Sequence, residues 1–431
     1  MAKKDVIKVG LLGLGTVGFG VFKTLRLQAD EMEKKIGSRI EIKRILVLKI
    51  ADFASKVEDP AILTENADDI LDDPEIDIVV ELIGGTTAAF TFQKKALENG
   101  KHVVTANKDL VATEGHNLME LAENNGLDYM FEAAVAGGIP VIRPLRRCLE
   151  GNHITEILGI VNGTTNFILT KMTKEGMSYK EALKIASDLG YAEANPTSDV
   201  EGLDAARKVA IMATLAFHRD VRFQDVFHEG ITKLTEDDIR CASELGYVIK
   251  LMGIARLREG GIEVSVFPVL LPKEHMMAAV EDSFNAVFIH GDAVDDIMLY
   301  GRGAGEMPTA SAVVGDIFDT VRNINNGVTG KLGNLTYNDY PIRPIEEYIN
   351  KFFLRMIVPD KPGVLSKIVD VFAKNHVSIA SVIQRIDKDD PSIAELFLTT
   401  EEVKEGEFNS ALNELQSLDA VQSIASVIRV Y

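Results

Sequence analysis

Three glycines at the end of an apolar strand narrow the folds open to this chain before anything else is weighed. Residues 6–12 (VIKVGLL) run straight into Gly13-Leu14-Gly15-Thr16-Val17-Gly18, and a helical pattern follows. In such a G-x-G-x-x-G the first glycine permits a tight turn and the second lets a pyrophosphate approach the backbone. The third lets helix and strand pack closely, and the helix N-terminus faces the phosphates. In this strand–turn–helix setting the spacing points to a dinucleotide, with Gly13, Gly15, Thr16, Val17 and Gly18 as its contacts. A merely tight turn is the alternative.

The rest of the first third keeps the alternation. Residues 40–48, 77–83, 102–105 and 127–131 read as strands, with helical stretches at 17–28 and 90–99. This predicts an α/β domain with a Rossmann-type, doubly wound parallel sheet over residues 1–134, completed by a helix at 308–325. Residues 135–307 read as an α+β domain for substrate binding and dimerisation, with strands at 154–161, 262–271 and 286–289 and a helix-rich stretch at 165–252. Residues 326–350, rich in Gly, Asn and Pro, read as a linker. Residues 351–431 give strand, helix, strand, strand, helix, strand, the ferredoxin-like plan.

At 431 residues, two or three domains are expected. Lys and Arg total 46 against 65 Asp and Glu, a net charge of −19, which repels polyanions and argues against nucleic-acid binding. No apolar run reaches the ~20 residues of a membrane span. The lysines and apolar run at the N-terminus superficially resemble a signal peptide, but the run is short, glycine-rich and lacks a small-residue cleavage site. Two cysteines, Cys148 and Cys241, support neither a disulfide framework nor a four-ligand zinc site, so the expected compartment is the reducing cytoplasm.

Candidate chemistry clusters at strand ends. Lys49 lies near the end of the second strand, with no acid before Asp52; a cation there accepts a ribose 2′-phosphate, whereas an acid binds the 2′-OH. This leans to NADP(H), with NAD(H) a close second, and a solvated lysine as the bland alternative. Gly84, Gly85 and Thr86 follow one strand, and Lys108 follows another in Thr105-Ala106-Asn107-Lys108, both where open α/β sheets bind ligands. The densest run spans 191–208, YAEANPTSDVEGLDAARK. Pro196 breaks a helix, and 203–217 then reads as an apolar helix carrying Asp204 and Lys208 four apart on one face. A lysine and an aspartate on so apolar a helix are costly unless paired or functional; an ordinary ion pair is the structural alternative.

Seven segments in order, GLLGLGTVG, VVELIGG, TANKDLVA, FEAAVAGGIPVI, GIVNGTTNFIL, GYAEANPTSDVEGLDAARK and GRGAGEMPTASAVVGDI, resemble homoserine dehydrogenase over nearly the whole chain. The resemblance implies reversible NAD(P)H-dependent reduction of L-aspartate 4-semialdehyde to L-homoserine, on the route to threonine, methionine and isoleucine. It implies that Lys208 donates and accepts the proton and that Glu193, Asp199 and Asp204 hold the substrate. Lys108 would contact cofactor and substrate, and Gly303 or Gly305 would lie beside the cofactor. It also implies a monovalent cation, sodium or potassium, bound largely through backbone carbonyls at Glu132, Val135, Gly137 and Ile139. A homodimer or homotetramer is expected. This chain departs at His218, where relatives commonly carry glycine.

The C-terminal segment resembles an ACT domain, an amino-acid-sensing module, through Asp360-Lys361-Pro362-Gly363-Val364-Leu365. The resemblance implies threonine as feedback effector, held about Asp360, Gly363 and Val364; a dimerisation module without a ligand is the alternative. Two other functions stay open. A semialdehyde dehydrogenase forming an acyl-enzyme needs a nucleophilic cysteine, and Cys148 and Cys241 read as packing residues. A non-catalytic regulator binding nucleotide and amino acid would have no need of Lys108, Glu193, Asp204 and Lys208, all present here.

Overall fold

The computed structural model describes residues 4–331, 337–386 and 390–431. They divide into two compact units, the first made of residues 4–161, 206–226, 284–331 and 337–339, the second of 162–205, 227–283, 340–386 and 390–431.

The first unit is built on a six-stranded sheet. Its strands lie in the order Leu63–Thr64, Arg39–Leu46, Val6–Leu12, Ile78–Glu81, His102–Thr105 and Tyr129–Met130, all parallel. Strand order therefore reverses between Val6–Leu12 and Ile78–Glu81, the switch point outside which open α/β sheets bind ligands. Ile7, Val9 and Leu11 are buried on one face with Val21 and Leu25 of helix Thr16–Leu27. Helix Glu306–Asn326 adds Ala310, Val313, Ile317 and Val321 to this cluster, so a segment three hundred residues away completes the core of the N-terminal domain. The crossing is close because of Gly20: a Cβ there would stand 2.7 Å from the Glu306 carbonyl oxygen. Strands Ile154–Ile160, Phe284–Gly291 and Asp295–Arg302 form an antiparallel ladder in the same unit.

In the second unit, strands Tyr247–Arg258 and Gly261–Pro272 make a twelve-pair hairpin. The first of these begins inside the stretch read as helix-rich. Most of its residues are buried, so its sequence, YVIKLMGIARLR, lacks the polar alternation that marks a half-exposed strand. The C-terminal domain has the ferredoxin-like plan, with strands ordered Ser423–Val430, Ile349–Pro359, Ile393–Thr400, Ile379–Ile386. Helices Val364–Lys374 and Glu405–Gln416 contribute Ile368, Phe372, Phe408 and Leu415 to its core. Ser423–Val430 also pairs with Gly261–Pro272, in parallel, through Arg429 and Val430. Within the stretch read as linker, Arg343 donates its backbone N–H to the Ile262 carbonyl and pairs with Glu263, while 332–336 lie outside the described residues. Among the described residues, no helix is long and apolar enough to cross a membrane.

Candidate active site

The three glycines of the hexapeptide sit in different surroundings. Gly13 has φ +105°, and a Cβ there would press on the Leu82 carbonyl at 2.9 Å. Gly18 has its helix face against the Gly13 carbonyl oxygen, with no room for a Cβ. Gly15, which caps helix Thr16–Leu27 in extended geometry, has open space where a side chain would be. The turn and the helix packing thus use two glycines, and the third leaves helix-end N–H groups approachable by a phosphate. Across the switch point, Gly84 and Gly85 both have positive φ and equally open surroundings, and Thr86 caps helix Thr87–Glu98. Buried Glu81 fixes that turn: its carboxylate accepts from the N–H groups of Ile83 (2.9 Å) and Gly84 (3.2 Å), and from Gln93 (2.7 Å) and Thr105 (2.8 Å). Asn107 caps helix Lys108–Asn124 through Leu110 N–H and donates its amide to the Gly85 carbonyl at 2.7 Å. Lys108 is thereby held at the first helical position. Lys49 is exposed three residues past the end of Arg39–Leu46, and Leu48 beside it is 95% exposed.

Two further loops of the first unit nest together. Gly303 faces Gly137 so closely that a Cβ on Gly137 would overlap the Gly303 carbonyl oxygen. The other side of Gly303 is filled by the buried amide of Asn285. Gly138 N–H donates to the Arg302 carbonyl at 3.0 Å, and Gly305, φ +123°, caps helix Glu306–Asn326. The Glu132–Ile139 segment is a 3₁₀ turn followed by Ala136 and Gly137 at positive φ. The Glu132 carboxylate is consumed locally, accepting from Val141 (2.6 Å), Ile142 (2.8 Å) and Arg143 (2.8 Å) N–H. Glu132 N–H in turn donates to Asp316, whose carboxyl is pushed up to about 7 by burial against the pull of Arg143. Apart from the Glu132 carboxylate, residues 132–139 carry no side-chain oxygen, so the other oxygens of this loop are backbone carbonyls. Among the described residues, no cluster of three His, Cys, Asp or Glu side chains could hold a metal.

In the second unit one side chain organises the acids. Asn162 caps helix Gly163–Glu175, its Oδ1 accepting from Thr165 N–H at 2.8 Å. Its Nδ2 donates both to Asp199 Oδ1 (2.7 Å) and to Asp204 Oδ2 (2.9 Å). The two carboxylates are thus brought together, Asp204 buried and Asp199 half-buried. Glu193 is exposed in the irregular stretch preceding helix Thr197–Val200. Asn162 stands in the segment GIVNGTTNFIL, and its signal in the sequence is the N-cap position itself, an asparagine directly before a helical run. Lys208 stands one turn after Asp204 on helix Leu203–Phe217, and within the first unit its Nζ donates to the Val161 carbonyl at 2.7 Å.

Cys241 offers no nucleophile. Burial pushes the Cys241 thiol up, away from thiolate. Cys148, expected to be a packing residue, is instead exposed, because it ends the short turn Pro144–Cys148 on its outer side. In the C-terminal domain Gly363 has φ +90° and open space around it, capping helix Val364–Lys374. Asp360 accepts from Gln384 at 2.9 Å, and Asp360, Gly363 and Val364 line a cavity of about 390 Å³.

Comparison with known proteins gives one family. Residues 13–132 match the family model for the NAD-binding domain of homoserine dehydrogenase, 140–318 that for homoserine dehydrogenase, and 352–420 that for the ACT domain. Homoserine dehydrogenase of Bacillus subtilis is 46% identical over 426 residues, 98% of each chain. A crystal structure of a homoserine dehydrogenase from Thiobacillus denitrificans is 42% identical, with a TM-score of 0.95 over 100% of this chain and 99% of that one. A hyperthermophilic archaeal homoserine dehydrogenase in complex with NADPH is 26% identical, with a TM-score of 0.62 over 73% of this chain and 97% of its own. This chain belongs to the homoserine dehydrogenase family, the oxidoreductases that carry an NAD-binding domain, here with a C-terminal ACT domain.

Proposed function

We propose that this chain interconverts L-aspartate 4-semialdehyde and L-homoserine with NADP(H), with Lys208 as the proton donor and acceptor. The observation that carries the reading is that Asp204, bridged to Asp199 by Asn162, stands one helical turn before Lys208, whose ammonium is fixed to a backbone carbonyl. The bound nicotinamide supplies or accepts the hydride. Lys208 stabilises the charge that grows on the aldehyde oxygen and then protonates it. Asp199, Asp204 and Glu193 offer oxygen acceptors to the substrate ammonium, and Lys108 orients cofactor and substrate from its helix N-terminus. Gly13, Gly15, Thr16, Val17, Gly18, Gly84, Thr86, Gly303 and Gly305 form the cofactor's bed. Lys49 reads the 2′-phosphate, a choice supported by the NADPH bound to the archaeal relative. The exposed Leu48 offers apolar surface to the purine.

Sodium or potassium sits at the carbonyls of Glu132, Val135, Gly137 and Ile139, where irregular backbone supplies oxygens and the Glu132 carboxylate is already engaged. Threonine is the effector, bound about Asp360, Gly363 and Val364. The catalytic machinery falls in 1–134 with 308–325 and in 135–307, regulation in 351–431. The enzyme works in the cytoplasm, in keeping with its two free cysteines, as a homodimer or homotetramer.

Steady-state kinetics with both cofactors, with and without threonine, tests this. Lys208→Ala is expected to lose ~10²–10⁴-fold in kcat while retaining cofactor binding. Glu193→Ala is expected chiefly to raise the KM for homoserine, because it holds the substrate in ground and transition states alike. A near wild-type kcat in Lys208→Ala overturns the assignment, and equal kcat/KM with NADH overturns the role of Lys49.

A further inference from the structure

We propose that Arg429, in the last strand of the ACT domain, is a positioning residue for the substrate carboxylates. The inference rests on the reading that Asp199 and Asp204 hold the substrate, and it assigns the C-terminal domain a part in building that site.

The Arg429 side chain is nine-tenths buried, with its guanidinium 4.1 Å from the centre of the Phe267 ring. Nε and Nη2 grip the carboxylate of Glu405 at 2.5 and 2.8 Å. Glu405, almost wholly buried, begins helix Glu405–Gln416 of the same domain. This bidentate pair is already neutral and satisfies the buried acid. Nη1 nevertheless makes a third bond, 2.5 Å to Glu229, which lies outside the ACT domain and is half exposed. Charge balance does not require that bond; its effect is geometric.

Glu229 starts a short backbone splint. Its own N–H donates to the Val266 carbonyl at 2.7 Å. The next residue, Gly230, lies so close to the turn at Val200 and Glu201 that a Cβ would stand 2.5 Å from Glu201 Cα. Ile231 N–H donates to the Val200 carbonyl at 2.8 Å, and Thr232 Oγ1 to the Glu201 carboxylate at 2.9 Å. Residues 200–202 are the turn that separates Asp199 from Asp204. Gly202 closes it with φ +80° and an N–H bond to the Asp199 carbonyl at 3.0 Å. One arginine of the regulatory domain therefore fixes the segment against which the spacing of the two acids is set.

A contiguous chain of contacts is not itself coupling, so the test is a double-mutant cycle in the full-length enzyme. Glu229→Ala leaves the Arg429–Glu405 pair intact and is the variant that keeps the fold. It is expected to raise the KM for L-homoserine roughly 2- to 30-fold, with the cofactor KM and Tm close to wild type. Arg429→Met is expected to raise it in the same direction, Arg429→Lys to recover part of the loss, and Glu229→Ala to add little in the Arg429→Met background. An unchanged homoserine KM in Glu229→Ala overturns the proposal, whether or not Arg429→Met folds. So do fully additive effects of the two substitutions. If instead Glu193→Ala and Asp204→Asn leave the homoserine KM unchanged, the reading of the site fails, independently of Glu229.

Discussion

Gly15 and Gly18 stand three residues apart in one motif, yet the structure asks different things of them. Alanine at 18 would drive its Cβ into the Gly13 carbonyl oxygen, whereas alanine at 15 meets no protein atom within 4 Å. Gly18→Ala is therefore expected to lower Tm by the equivalent of ~1–3 kcal/mol of overpacking. Gly15→Ala is expected to keep Tm and raise the cofactor KM, because only a bound phosphate needs that space. Paired thermal melts and kinetics separate the two; a Tm loss in Gly15→Ala of the size seen for Gly18→Ala counts against the division. The motif was legible in the sequence, and so were the turn at Gly13 and the close helix packing at Gly18. What Asn162 does was not, because its two carboxylate partners lie 37 and 42 residues along the chain. His218 illustrates the reverse case. It has φ +53°, a left-handed conformation that glycine adopts freely, and its ring stacks on Tyr337 at 4.5 Å.

Segments 6–12, 102–105, 203–217 and 393–400 stand where their patterning places them. Strand Tyr247–Arg258 does not, and it contains a costly residue. Lys250 is 2% exposed, donating from Nζ to the Val280 carbonyl (2.5 Å) and to Asn166 Oδ1 (3.1 Å). Burial pushes its ammonium down to about 8, against the pull of Glu281. Below that pH both folded and unfolded chains carry the proton. Between about 8 and the ordinary 10.5 the unfolded chain binds more protons than the folded one, so stability contributed by this group climbs with pH. At 1.36 kcal/mol per unit the climb has a ceiling of about 3 kcal/mol. Lys250→Met lacks it, so the difference in Tm between wild type and variant should move in favour of wild type from pH 8 to pH 10. Parallel Tm–pH curves for the two proteins would show that Lys250 does not titrate in that window.

For the chain as a whole, composition and motif order were enough to read its family and its C-terminal module, but not how that module is attached. Arg429 finds Glu229 across 200 residues and Arg355 finds the buried Asp238 across 117, and no local spacing announces either pair. A boundary near residue 351 makes the ACT domain look detachable; the parallel pairing of Arg429 and Val430 with Gly261–Pro272 makes it part of one sheet. Ending the chain after Asp339 is therefore expected to strip cover from Phe267, leave Asp238 without its guanidinium and give an aggregating or markedly less stable protein. Size-exclusion and thermal denaturation decide this, and a monodisperse truncation with wild-type Tm would refute it. The nesting of Gly137 against Gly303 carries a thermodynamic obligation of its own. On the proposed reading one loop serves a cation and the other a dinucleotide, and the two backbones approach so closely that a Cβ on Gly137 would overlap the Gly303 carbonyl oxygen. Where binding at one loop alters affinity at the other, linkage makes the factor the same in both directions. Titrating NADPH at several potassium concentrations, and potassium at several NADPH concentrations, should return one coupling constant from both directions. Replacing the ion would then retune how tightly the nucleotide is held without touching a residue that contacts it.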